Sequence, residues 1–128
     1  MALEIPGKVI SIFNATADLS ALQYTFVSLT TLGGITGTTV VTDARLLGIL
    51  QNTPTSNQAA EVMVDGVSKL IAATTAIVIG DYVGSTAGGR AVTSASGTSG
   101  FKAARVLQTA VTSGVMTVQV FPPQTITI

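Results

Sequence analysis

At 128 residues the chain has the size of one domain and is long enough to bury a core. Charged residues make up only 9% of it and hydrophobic residues 47%, where an ordinary soluble chain carries roughly 25% charge. Six basic and six acidic residues balance and are scattered along the chain, which excludes the basic run that binds a phosphate backbone, so no nucleic-acid partner is expected.

The first residues, MALEIPGKVISIF, carry Leu3, Ile5, Val9, Ile10, Ile12 and Phe13, interrupted by Pro6-Gly7. They read as an extended N-terminal arm leading into a strand at Lys8 to Phe13, with residues 1–13 set apart from a single β domain over 14–128. No charged segment followed by a long apolar stretch marks a signal peptide. Ordering ten such residues costs about 10–20 kcal/mol. Burying the arm's apolar side chains returns about 9–18 kcal/mol. The near balance predicts an arm that orders only when it docks on a neighbour.

Asn14 to Ala21 reads as a turn in which Asp18 caps a short helical turn. Leu22 to Leu29 alternates as a strand, with Leu22, Tyr24 and Phe26 on one face. Thr30 to Gly37 reads as a loop, Thr38 to Thr42 as a short β-branched strand, and Asp43-Ala44 as a turn. Leu46 to Leu50 is apolar on both alternate faces, the pattern of a strand covered on both sides. Pro54 removes a backbone donor and turns Thr53 away from helix, so Asn52 to Gln58 is a loop.

Glu61 to Val64 and Val67 to Ala72 are strand patterns separated by Asp65-Gly66. That pair is either a hairpin turn or a bulge that switches the side-chain phase of one long strand; a half-exposed face carrying Ser68 and Lys69 suits the bulge. Leu70 to Ile79 is the most apolar later window and is too short to span a bilayer, so no membrane partner is expected. Gly80-Asp81 punctuates before a hairpin of Tyr82 to Ser85 and Arg90 to Thr93 around Gly88-Gly89. No helix pattern follows Gly-Gly-Arg, so it reads as a turn and not a phosphate cradle. Ser94 to Gly100 reads as a loop. A last hairpin joins Lys102 to Gln108 with Val115 to Phe121, where Met116, Val118 and Val120 face one way and Thr117 and Gln119 the other. Pro122-Pro123 is expected to end the sheet.

Ile49-Leu50-Gln51, a loop and Glu61 to Val64 are echoed by Val106-Leu107-Gln108, a loop and Thr117 to Val120. A duplicated strand-loop-strand unit and a coincidence among β-rich segments both account for this. The fold class is therefore all-β, a compact small sandwich or barrel.

Catalytic chemistry finds little purchase. Without His or Cys the chain lacks the commonest general base and the thiol nucleophile. Glu4, Asp18, Asp43, Glu61, Asp65 and Asp81 show no Asp-x-Asp calcium-loop spacing, and Asp65 and Asp81 adjoin glycines in turns. No enzyme activity, cofactor or metal is expected. A small glycan- or ligand-binding β module is the alternative class, with Tyr24, Tyr82 and the phenylalanines as platforms. A surface so poor in charge is prone to associate, which predicts a homo-oligomer. The candidate assembly interface is the apolar arm with the closing segment: Leu3, Ile5, Pro6, Val9, Phe121, Pro122 and Pro123.

The order ATADLSALQYTFVSL, then LLGILQNTPTSNQAAEVMVDGVSKLIA, then AIVIGDYVGSTAGGRAVT, then ARVLQTAVTSGVMTVQVF resembles the capsid cement, or head decoration, proteins of tailed bacteriophages. The likeness spans about residues 15 to 121 and rests on the order and spacing of individually weak turn and strand motifs. Arg45-Leu46-Leu47 stands where an alanine-rich entry is common, and Ile5 to Phe13 is unusually apolar. The resemblance implies a structural virion protein made in the host cytoplasm. It would coat the outer capsid surface as a trimer, with the major capsid protein and its own copies as partners. In that setting the alternative becomes a glycan-binding module of the phage particle.

Overall fold

The computed structural model describes residues 5–11, 13–38, 45–73, 77–86, 88–93, 101–109 and 114–125. Nine strands run through them: β1 (Ile5–Ile10), β2 (Phe26–Leu29), β3 (Ile35–Gly37), β4 (Leu46–Leu50), β5 (Val62–Ile71), β6 (Tyr82–Ser85), β7 (Ala91–Thr93), β8 (Phe101–Gln108) and β9 (Val115–Thr125). They form one sheet in the order β3-β2-β4-β5-β9-β8-β6-β7, with β1 paired to β5. The all-β expectation holds. The sheet is antiparallel and curls into a half-barrel. The curl brings its distant parts together: Phe26 at the head of β2 donates its N–H to Gly89 O in the β6–β7 turn at 2.8 Å.

Two cores follow from the curl. The larger takes Phe26, Ile49, Met63, Leu70, Val83, Ala91, Val106, Met116, Val118 and Val120 from β2 and β4 through β9. A smaller one takes Val27, Leu50 and Val62 against Ala15, Leu19, Ile35 and Ala60. Neighbours along one strand therefore enter opposite cores: Phe26 and Val27, Ile49 and Leu50, Val62 and Met63. This is the two-sided burial expected of Leu46 to Leu50, because consecutive strand residues point to opposite faces.

Asp65-Gly66 is not a hairpin turn, since β5 runs through it unbroken. Val62 and Leu70 would share a face in a regular strand, yet they belong to different cores. The phase switches between them, where Gly66 adopts φ +135°. Register shifts in the β1–β5 pairing flank Lys8↔Asp65, as a bulge requires. Ser68 is fully buried rather than half-exposed. Its hydroxyl accepts from Gln51 Nε2 at 2.9 Å and donates to Lys69 O.

Several expectations are corrected. Leu22 to Thr25 is turn, and the strand begins only at Phe26. Tyr24 sits at φ +64°, and the Leu22 carbonyl accepts both the N–H and the hydroxyl of Thr25. Leu22, Tyr24 and Phe26 therefore share no strand face. The supposed loop at Thr30 to Gly37 contains β3, entered through a turn closed by Thr30 N–H to Gly34 O. Asp18 caps no helix; its Oδ1 accepts the Ser20 N–H in a local turn. Pro6-Gly7 does not break the first strand, which spans Ile5–Ile10 instead of starting at Lys8. The shifts in its pairing accommodate a residue that cannot donate.

Nor does Pro122-Pro123 end the sheet. Between Ala104↔Val120 and Lys102↔Gln124, one β8 residue opposes Phe121, Pro122 and Pro123 on β9. The prolines occupy that irregularity, and pairing resumes to Thr125. Thr38 is described and lies outside any strand. Residues 39–42, Asp43-Ala44 and Ser94 to Gly100 fall outside the described residues.

The β6–β7 hairpin, the Gly80-Asp81 turn and the β8–β9 hairpin match their expected places. Asp81 has turn duty: its Oδ2 accepts the Val78 N–H at 3.0 Å. The two echoed units are both antiparallel pairs, Ile49↔Met63 with Leu50↔Val62 and Val106↔Val118 with Gln108↔Thr117.

Candidate assembly surface

The predicted interface residues sit in two strands that meet on β5. Ile5 and Pro6 lie in β1 with Val9, where Ile5 pairs with Val67 and Val9 with Met63. Val67 also pairs with Gln119, and Gly66 pairs with Val120, next to Phe121. Residues from the two ends of the sequence thus converge on Asp65 to Val67. Val9 is exposed. Phe121 is half-buried and meets the Tyr82 ring edge-on at 6.0 Å and 72°. Pro122 and Pro123 continue β9 beyond it. Leu3 lies outside the described residues.

A second apolar surface escaped the sequence reading. Met116, Val118 and Val120 are buried on one face, and Val115 and Gln119 are exposed on the other, where Thr117 between them is covered. Ala104 and Val106 are buried and Arg105, paired with Gln119, lies on that outer face, while Leu107 is exposed at the irregularity between Val106 and Gln108. The register aligns Arg105 with Gln119 and with Tyr82. The turn from Val78 to Asp81 is tied to β8, as Gly80 N–H donates to Val106 O and Val106 N–H to Asp81 O, both at 2.9 Å. The Val78 to Asp81 turn therefore lies against β8 at Val106. Among the described residues, Val78, Ile79, Tyr82, Leu107 and Val115 are large apolar side chains left exposed here, Ile79 at 67%. Val9 and Leu32 are exposed elsewhere.

The signal was present in the strand phase. Val115 shares parity with Thr117 and Gln119, so it is an apolar residue on a polar face. Two lysines of the neighbouring strand positions lie over tyrosine rings. Lys69 pairs with Thr117 in the register, and its Nζ lies 5.3 Å from the centre of the Tyr24 ring. Lys102 Nζ lies 4.6 Å from the centre of the Tyr82 ring.

Asp18 and Glu61 are two exposed acids of other segments. Glu61 directly precedes β5, where its N–H donates to Asn52 Oδ1. Leu19 N–H, beside Asp18, donates to Pro54 O in the same loop. The Ser20 hydroxyl and backbone N–H hold the Asp18 carboxyl below its ordinary range, which keeps it ionised. A shallow cleft of about 330 Å³ opens nearby, lined by Phe13, Asn14, Thr16, Leu32, Gly34 and Asn57 among others.

This arrangement offers burial, stacking and a few charges, the means of non-covalent contact. Comparison of the sequence with models of known families yields no match, and comparison with characterised proteins yields none either.

Proposed function

We propose that this chain is a structural protein that coats the outer surface of a bacteriophage head and stabilises the shell. Its partners are the major capsid protein and further copies of itself, assembled as a trimer. The observation that carries the reading is the exposed apolar outer face of β6, β8 and β9 on a chain with almost no charge. Exposed apolar surface is a recurrent feature of interaction sites. The convergence of β1 and Phe121 on β5 supplies a second contact region, and the ordered likeness of residues 15 to 121 to head decoration proteins supplies the setting.

A shell-coating subunit need not bind each site tightly. Contacts made after the first are intramolecular, which raises avidity by about 10²–10⁴ without new contacts. Binding that favours the assembled lattice stabilises it by mass action. Purified heads assembled without the protein should take it up on their outer face and rupture at a higher temperature, while isolated shell protein should bind it weakly. Heads equally robust with and without it would end this reading.

The second reading is a glycan-binding module of the particle, favoured by the carboxamides of Asn14 and Asn57 beside Leu32 in the open cleft. A specific glycan-array signal lost in Asn57→Ala would put it first; an array without signal would remove it.

A further inference from the structure

We infer that the side-chain oxygen of Gln51 holds one ordered water inside the fold, bridged to the hydroxyl of Ser68. The site is internal, so it goes beyond the shell-coating proposal and stands whatever surface the chain covers.

Three observations lead to it. The first is the orientation of the Gln51 carboxamide. Its Nε2 donates to Ile49 O at 3.0 Å and to Ser68 Oγ at 2.9 Å. Both partners are there as acceptors. One is a carbonyl, and the Ser68 hydroxyl gives its single proton to Lys69 O at 2.9 Å. Reversing the amide would set Oε1 against the Ile49 carbonyl oxygen, acceptor facing acceptor. The main chain of Gln51 is pinned as well, with its N–H on Glu61 O at 2.7 Å and Gln23 Nε2 on its carbonyl at 2.9 Å.

The second is what this leaves over. Gln51 Oε1 is buried, and no protein donor reaches it among the described residues. A buried acceptor without a donor carries its whole desolvation cost, and native folds meet such groups with protein or with ordered water. Ile49 and Ser68 beside it are fully buried, so the surface of a partner cannot supply the proton. Water is the donor small enough to do so.

The third is the echoed residue, Gln108. Its Oε1 takes the hydroxyl of Thr117, its partner in the register, at 3.3 Å. In the first unit Glu61 stands where Thr117 stands in the second, and a carboxylate has no proton to give. The two glutamines therefore differ in where the donor comes from.

Reach fits the bridge. The oxygen and nitrogen of one carboxamide are roughly 2.3 Å apart by covalent geometry. Ser68 Oγ is 2.9 Å from that nitrogen, so it lies within about 5 Å of Oε1, a gap that one water spans with two bonds of about 2.8 Å. The water donates one hydrogen to Gln51 Oε1 and the other to Ser68 Oγ. It completes a polar knot that ties the end of β4 to β5 and, through Gln23, to the turn before β2.

The test begins with the full wild-type chain. A crystal structure sharp enough to show ordered water should place a peak within hydrogen-bond distance of both Gln51 Oε1 and Ser68 Oγ. In solution, the Gln51 side-chain amide protons should show dipolar cross-peaks to a long-lived water, separated from exchange by their sign in rotating-frame spectra. Oxygen-17 relaxation dispersion counts such waters, and Gln51→Met should lose one. A Gln51 Oε1 that is dry in the crystal, or that takes its proton from a protein group, would overturn the site. So would wild-type spectra without the cross-peaks, a result that does not depend on how well the variant folds. A folded Gln51→Met chain with unchanged dispersion would overturn it as well. Binding to heads is not part of any readout, so failure here and failure of the shell reading are distinct.

Discussion

Phe26 N–H donates to Gly89 O at 2.8 Å, joining the head of β2 to the β6–β7 turn. These elements lie near opposite ends of the strand order, so this bond helps to hold the sheet in its curl. Gly89 has φ +86°, and a Cβ there would stand 2.7 Å from the Phe26 carbonyl oxygen. Gly89→Ala therefore meets both a disfavoured backbone region and a backbone clash. We expect a loss of about 1–3 kcal/mol, read as a lower urea midpoint with an unchanged slope. Gly88→Ala is the control, because Gly88 is exposed and its added Cβ would meet only Thr86 Oγ1 at 3.9 Å.

The buried hydroxyl pair of Ser28 and Thr38 makes an asymmetric prediction. Their oxygens lie 2.9 Å apart, and Thr38 Oγ1 also donates to Phe26 O. Ser28→Ala leaves Thr38 with its bond to the backbone and should cost about 0.5–1.5 kcal/mol. Thr38→Val leaves the buried Ser28 hydroxyl and the Phe26 carbonyl short of a partner and should cost more, about 1–3 kcal/mol. Denaturant titration of the two variants checks the order, and an inverted order would refute this account of the pair.

β1 should be the first strand to open. Its ladder on β5 is irregular at two places, it contains Pro6, and Val9 is exposed. Its amides should exchange faster than those of β5 and β9, whose shared ladder runs without a shift from Gly66↔Val120 to Ile71↔Val115. Removing residues 1 to 7 should leave the larger core folded and weaken binding to heads. Native-state hydrogen exchange and co-sedimentation measure the two effects.

Asp18 should titrate below the ordinary Asp range, because it accepts hydrogen bonds from the Ser20 hydroxyl and N–H. The sign follows from linkage. A carboxyl with a lowered folded pKa contributes stability that is fully present above its unfolded pKa and is lost as pH falls through the folded value. The carboxyl is fully exposed, so the effect on global stability is small and the local titration is the sensitive readout. Ser20→Ala should move the Asp18 titration upward, toward its ordinary value, in a carboxyl-detected NMR series.

What the sequence determined by itself was local. The two-sided burial of β4, the alternation of β9 and the turns at Gly80-Asp81 and Gly88-Gly89 follow from side-chain period and backbone preference, which neighbours along the chain already specify. Tertiary structure decided whatever depends on a partner strand. Tyr24 alternates correctly with Leu22 and Phe26, yet the packing holds it at φ +64° with its N–H on Leu50 O. Pro122-Pro123 looks like a terminator, yet an irregularity against β8 lets β9 pass. Ile5 and Phe121 became neighbours of one stretch of β5 only through register. Leu107 and Val115 each read as ordinary strand residues. The Val78 to Asp81 turn is brought against β8 only by the two hydrogen bonds it makes with Val106. Period reveals which way a side chain points from its strand, whereas only the folded sheet reveals what stands next to it.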